Sequence, residues 1–131
     1  MPATLTIRDE STGGKTLREF DLEVLTERIT VRELIRSRVY QEVKDFNTRQ
    51  PDSFHGLVQP TDAERTLNGF RLRKKRQIDW KKQFDEAIQA FTSGRILVLC
   101  NNQQLDDLEA EIEINPQTDV SFLQLTPLVG G

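Results

Sequence analysis

Hydrophobic spacing along this chain shifts from a period of two to one near 3.6 and back again, and each shift predicts an element. Thr4–Arg8 (Thr-Leu-Thr-Ile-Arg) alternates polar and apolar, and after Glu10-Ser11-Thr12-Gly13-Gly14 the alternation resumes at Phe20, Leu22 and Val24. Two alternating runs around a glycine-containing interruption predict an antiparallel hairpin. The period then lengthens, with Val31, Leu34, Ile35, Val39, Val43 and Phe46 forming one helical stripe. Thr30 and Glu33 have capping-box spacing, in which each side chain accepts from the other residue's backbone N–H, so the helix is predicted from Thr30 to about Phe46.

Periodicity weakens from Asn47 to Pro60, where Pro51, Gly56 and Pro60 predict a loop. Thr61 and Glu64 repeat the capping-box spacing ahead of a short helix that Asn68-Gly69 would end. Asp79 can cap a longer helix ending at Gly94, with Trp80, Phe84, Ala87, Ile88 and Phe91 on one face. That face reads as core packing, with Trp80 at its edge available to a partner.

Strand character returns in Ile96-Leu97-Val98-Leu99-Cys100, an apolar run expected in a central strand buried on both faces. Asn101-Asn102 predicts a turn, because asparagine tolerates positive φ. Leu105 and Leu108 punctuate an acidic connection, Glu111–Ile114 alternates, and Asn115-Pro116 turns the chain toward a last strand, Val120–Leu125. Pro127 cannot donate to a ladder, so Leu128-Val129-Gly130-Gly131 is expected as an extended tail leaving the sheet. Without Cβ atoms, the two glycines can pass through a channel too narrow for side chains and present a carboxylate in another enzyme's active site; the alternative, on the usual behaviour of chain ends, is a frayed terminus. The predicted order is β-β-α, an insertion, then β-β-β.

Composition narrows the remaining classes. The 131 residues suit one domain with a real core, and 36% hydrophobic against 30% charged residues describes a polar but folded chain. No apolar run is long enough for a membrane span and Met1-Pro2-Ala3 opens no signal peptide, so the expectation is a cytoplasmic protein without a membrane partner. Cys100 is the only cysteine and lies in an apolar run, which predicts a buried structural thiol. His55 is also alone, so neither a metal site nor a catalytic triad is expected.

Charge is distributed in two blocks. Arg71, Arg73, Lys74, Lys75 and Arg76 form the densest basic run, yet the net charge is −3 and no aromatic-rich strand accompanies the run, which argues against nucleic acid and for a solvated face or a contact with an acidic protein. Asp106, Asp107, Glu109, Glu111 and Glu113 form an acidic block, and the two blocks together allow head-to-tail self-association.

The element order and the tail resemble the ubiquitin and sulfur-carrier superfamily of β-grasp proteins. Residues Ile96–Gly131 resemble the end of the molybdopterin-synthase small subunit and of the thiamine sulfur carrier: an apolar strand, an Asn-containing turn, an acidic connection, a strand, then Pro127-Leu128-Val129-Gly130-Gly131. Thr4–Phe46 matches in order and length, whereas 47–94 is far longer than the corresponding link of those carriers. The resemblance implies an α+β fold, a ubiquitin-like β-grasp mixed sheet around one main helix with a charged helical insertion (47–94) before the third strand. It further implies a single domain over 1–131 ending in a flexible tail, 127–131.

Chemistry implied by the resemblance is done to the chain rather than by it, so no enzyme activity and no bound cofactor are expected. An activating enzyme would bind ATP and magnesium, the Gly131 carboxylate would become an acyl-adenylate, and the acyl group would pass to a cysteine thiolate and then to a target lysine. In that scheme Gly130 and Gly131 permit entry, Leu128 and Val129 set the register of the tail, and Pro127 stiffens its root. A conjugating enzyme and a deconjugating metalloprotease are the further partners, and Lys15, Lys44, Lys74, Lys75, Lys81 and Lys82 are candidate acceptors for chains. Three readings follow: a ubiquitin-like modifier of a bacterial type, a sulfur carrier with a Gly131 thiocarboxylate for cofactor or tRNA thiolation, and a β-grasp binding module.

Overall fold

A computed structural model describes residues 3–11, 13, 15–51, 53–54, 56–60, 63–65, 70–72 and 76–125. In chain order the elements are β1 (Ala3–Glu10), β2 (Thr16–Val24), β3 (Arg28–Thr30), α1 (Val31–Arg49), β4 (Ala63–Arg65), β5 (Phe70–Leu72), α2 (Trp80–Thr92), β6 (Ile96–Cys100), β7 (Gln103–Leu105), β8 (Glu111–Glu113) and β9 (Val120–Gln124). The expected hairpin is present as β1 and β2, antiparallel with Leu5 opposite Leu22 and Ile7 opposite Phe20. Leu5, Ile7, Leu22 and Val24 are buried and alternate with exposed residues, so the period of two places one face of the hairpin on the core.

The main sheet has the order β2-β1-β9-β6-β7. β9 runs parallel to β1 and antiparallel to β6, so the sheet is mixed and the last strand lies at its centre. Val120 and Phe122 of β9 and Val98 of β6 are fully buried, Phe122 lying under Arg38 of α1 and β6 packing against α2. Leu97 and Leu99, on the face opposite Ile96 and Val98, are only half-buried, which corrects the expectation of a strand covered on both faces. A helix lies over one face of β6 alone, and the opposite face keeps contact with solvent.

Thr30 is the N-cap of α1, its hydroxyl accepting from the Glu33 N–H at 3.1 Å and donating to the Glu33 carboxylate. The acidic connection completes that helix start. The carbonyls of Ala110 and Leu108 accept from Val31 and Arg32, two N–H groups that a helix leaves without internal partners. α1 runs beyond the predicted end to Arg49, where Gln50 closes it in a left-handed conformation with its N–H on the Phe46 carbonyl. Glu111–Glu113 pairs with β3, which buries Ile112 and exposes the flanking glutamates.

The described residues of 47–94 fold onto the same core. Phe54, Leu57, Ala63, Phe70, Ile78, Ala87, Ala90 and Phe91 are buried in one cluster with the residues of α1 and the main sheet. The short helix predicted after Thr61 is replaced by a strand, because Ala63–Arg65 pairs antiparallel with Phe70–Leu72; Thr61 and Asn68-Gly69 lie outside the described residues. So few residues cannot hold an isolated helix against its nucleation cost. Pairing across to Phe70, itself bonded to Phe54 through both backbone groups at 2.7 and 2.8 Å, satisfies the backbone better. Gly56 permits this packing, since a Cβ there would lie 2.0 Å from the Phe54 ring.

α2 matches the prediction closely. Asp79 caps it through the Lys81 N–H at 3.0 Å. Gly94, at φ 81°, and Arg95 end it with N–H bonds back to Phe91 and Ala90, a Schellman arrangement. Asn101 and Asn102 both take positive φ, 51° and 67°, and join β6 to β7 in a two-residue hairpin. Among the described residues no helix is long and apolar enough to cross a membrane.

Candidate functional site

Alternation places Val120 and Phe122 inward from β9, and these two side chains anchor the strand under α1. One bond extends the ladder past β9, from the Leu125 N–H to the Arg95 carbonyl at 2.8 Å. The last described residue, Leu125, therefore lies at the end of a central strand, beside the start of β6. Thr126 and the expected recognition and reaction residues Pro127, Leu128, Val129, Gly130 and Gly131 lie outside the described residues. A cleft of about 380 Å³ opens beside Gln124 and Leu125, with Leu57, Phe70, Ala90 and Ile96 as its apolar wall and Arg95 at its polar rim.

The candidate acceptor lysines divide by location. Lys15 is exposed beside the β1–β2 turn, Lys44 on α1, and Lys81 and Lys82 on the first turn of α2, while Lys74 and Lys75 lie outside the described residues. Of the four exposed amines only Lys44 lines a cleft, the one beside Tyr40 and Trp80. Within the acidic block, Glu109 pairs with Arg32 at 2.8 Å and Glu111 with Arg28 at 3.6 Å, so part of that charge is already answered by the same molecule.

Burial pushes the Cys100 thiol above its ordinary value of 9.0, and the Asp119 carboxylate adds to the shift. A thiol held protonated is a poor nucleophile, but Cys100 is only half-buried at the end of β6, which corrects the expectation of a buried thiol. His55 lies outside the described residues. Among the described residues, no three of His, Cys, Asp and Glu gather in a metal-ligating cluster.

Sequence reasoning missed a charged cluster inside the core. Arg38 is fully buried and donates to both Asp9 oxygens at 2.6 Å and, through Nε, to Glu42 Oε1 at 2.8 Å. Its guanidinium also lies over the rings of Phe122 and Phe20, at 4.5 and 5.0 Å from their centres. Burial acts to lower the Arg38 pKa, but Glu42 and Asp9 together outweigh it and hold the side chain charged. Burial raises Glu42 above the ordinary 4.5, against the pull of Arg38, and Glu42 Oε2 is buried without a hydrogen-bond partner. A signal was present in the sequence: positions 38 and 42 continue the 31, 34, 35, 39, 43, 46 stripe, and position 9 continues the inward alternation of Leu5 and Ile7.

Taken together, these residues define an α+β protein with a mixed five-stranded sheet and two helices, one of them the main helix, consistent with a β-grasp-like fold. No family model matches the chain, and no curated protein or solved structure compared with it matches either.

Proposed function

We propose that this chain is a ubiquitin-like protein modifier, activated at the Gly131 carboxylate by an ATP-dependent enzyme and transferred to lysines of target proteins. The observation that carries the reading is the path of β9. The last strand is central, parallel to β1 and packed under α1, and it runs directly into Pro127-Leu128-Val129-Gly130-Gly131. A central strand held on both edges gives a tail a rigid root, and small residues beyond that root can enter a narrow active site.

In this reading the chain is the substrate of its partner. A Gly131 carboxylate oxygen attacks the α-phosphorus of ATP and pyrophosphate leaves. An enzyme thiolate then attacks the acyl carbon with AMP leaving, and a lysine amine finally displaces the thiolate to form the isopeptide bond. Activation is required because a free carboxylate is a poor electrophile. The insertion supports this reading over that of a minimal sulfur carrier, since α2 and the β4–β5 hairpin add a second structured surface beside the main helix.

Intact-mass and peptide mass spectrometry of the protein from its native host tests the proposal. Gly131 joined to a lysine of another protein is the expected result. A sulfur-for-oxygen exchange at Gly131 would replace the modifier reading with sulfur transfer, and a native chain continuing past Gly131, or a terminus never modified, would overturn both. Deleting Gly131 should abolish conjugation while leaving the cooperative thermal transition unchanged, because the strand that packs ends at Gln124.

A further inference from the structure

A second surface lies between α1 and the residues leading into α2. Arg36, Tyr40 and Lys44 are spaced four apart on α1, all exposed, and form a stripe along the helix. Tyr40 is 46% exposed and is the one exposed aromatic among the described residues. Its ring meets Trp80 edge to face, with centres 5.4 Å apart, and Arg36 lies over the Trp80 ring at 5.5 Å. A cleft of about 330 Å³ opens beside them, with Val43 at its floor and Lys44 and Gln77 at its rim. Its far wall is held firmly, because Asn47 bonds the Ile78 N–H at 2.8 Å and the Ile78 carbonyl at 3.0 Å.

The charge of this surface is one-sided. Neither Arg36 nor Lys44 forms an ion pair with a described residue, and no acidic side chain lines the cleft. The nearby acids have other hydrogen-bond partners: Glu33 accepts from Thr30, Asp45 from Gln41, Glu42 from Arg38, and Asp79 from the Lys81 N–H, and of these only Glu42 meets a cation among the described residues. An acidic protein carrying an uncompensated basic and aromatic patch has the composition of an interface anchor, rich in Trp, Tyr and Arg.

We propose that this cleft docks an acidic protein segment bearing a single aromatic or aliphatic anchor. The anchor would enter beside Tyr40 and Trp80, while flanking carboxylates meet Arg36 and Lys44. Single-stranded nucleic acid fits less well, because bases need an open ring face to stack on. Here Arg36 covers Trp80, and Phe84 stands 6.4 Å from it at a tilt of 42°. The volume admits one or two side chains rather than a helix face. Docking here is independent of the tail chemistry, so the two proposals fail separately.

Trp80 is the only tryptophan, and its emission reports on this cleft alone. The probe is a synthetic tryptophan-free peptide of aspartates and glutamates around one central phenylalanine, titrated into the full chain. The expected result is a saturable change in Trp80 emission that weakens by about tenfold between roughly 0.05 and 0.5 M salt. Arg36→Glu with Lys44→Glu should weaken it by about fivefold or more while the cooperative thermal transition is kept, Lys44→Glu alone should weaken it without touching the Arg36–Trp80 contact, and deletion of Gly131 should leave it intact. Four results would each overturn the proposal: no saturable response, equal binding of a peptide with its acids replaced by glutamine, tighter binding of a single-stranded oligonucleotide at the same site, or binding indifferent to both salt and the double variant.

Discussion

Arg38 occupies the middle of the face that α1 turns to the sheet, beside Val39 and one turn from Leu34 and Ile35. A charge at that depth persists only when it is met, and here Asp9 meets it with two bonds and Glu42 with one. The arrangement leaves Glu42 in tension, since its second oxygen is buried without a partner. Its raised pKa carries a definite sign. In the pH interval from the ordinary 4.5 up to the folded value, native Glu42 holds a proton that the unfolded chain has released, so its contribution to stability is complete below 4.5 and is lost as pH rises through that interval. Arg38 on the same helix, Asp9 on β1 and Arg18 on β2 are the charges that face it. Glutamine at 42 can still accept from Arg38 and has no charge to bury. The difference in melting temperature, wild type minus Glu42→Gln, should therefore fall as pH rises above 4.5; a difference flat with pH, measured by circular dichroism, would remove Glu42 as a buried titrating group.

At the scale of elements, end signals decide more than propensities do. α2 begins where Asp79 can accept a backbone N–H and stops where Gly94 adopts φ 81°, with nothing within 4 Å of the place a Cβ would occupy. Steric conflict with neighbours is thus excluded, and Gly94→Ala should cost about 1 kcal/mol through left-handed backbone strain alone. Gly94→Asn should recover part of that loss, because asparagine tolerates the conformation. Chemical denaturation checks both, and a neutral Gly94→Ala would show that the turn relaxes. The predicted helix after Thr61 fails at this same scale. A local capping pattern was outweighed by pairing with a strand whose Phe70 is buried against Phe54, a contact that the intervening residues do not reveal.

For the whole molecule, the question is whether 47–94 belongs to the fold or is carried by it. Phe54 is 3% exposed and packs edge to face on Phe46 of α1 at 5.4 Å, joining the insertion to the main helix. Phe54→Ala should cost about 3–5 kcal/mol and lower a single unfolding transition observed by every probe. Separate early melting of the insertion would show it to be an independent unit. The hairpin, both helices, the Asn101-Asn102 turn and the last strand could be read from the chain because each depends on neighbours within a few residues: alternation, the 3.6 period, a cap, a positive φ. β4 and β5, the parallel pairing of β9 with β1, the open outer face of β6 and the Asp9–Arg38–Glu42 cluster could not. The β9–β1 pairing and the charged cluster join residues far apart in the chain, 113 positions for Ile7 and Val120 and 29 for Arg38 and Asp9, and β4 and β5 depend on Phe54 meeting Phe70; such contacts exist only once the core has closed and removed water from the charges and strand edges it brings together.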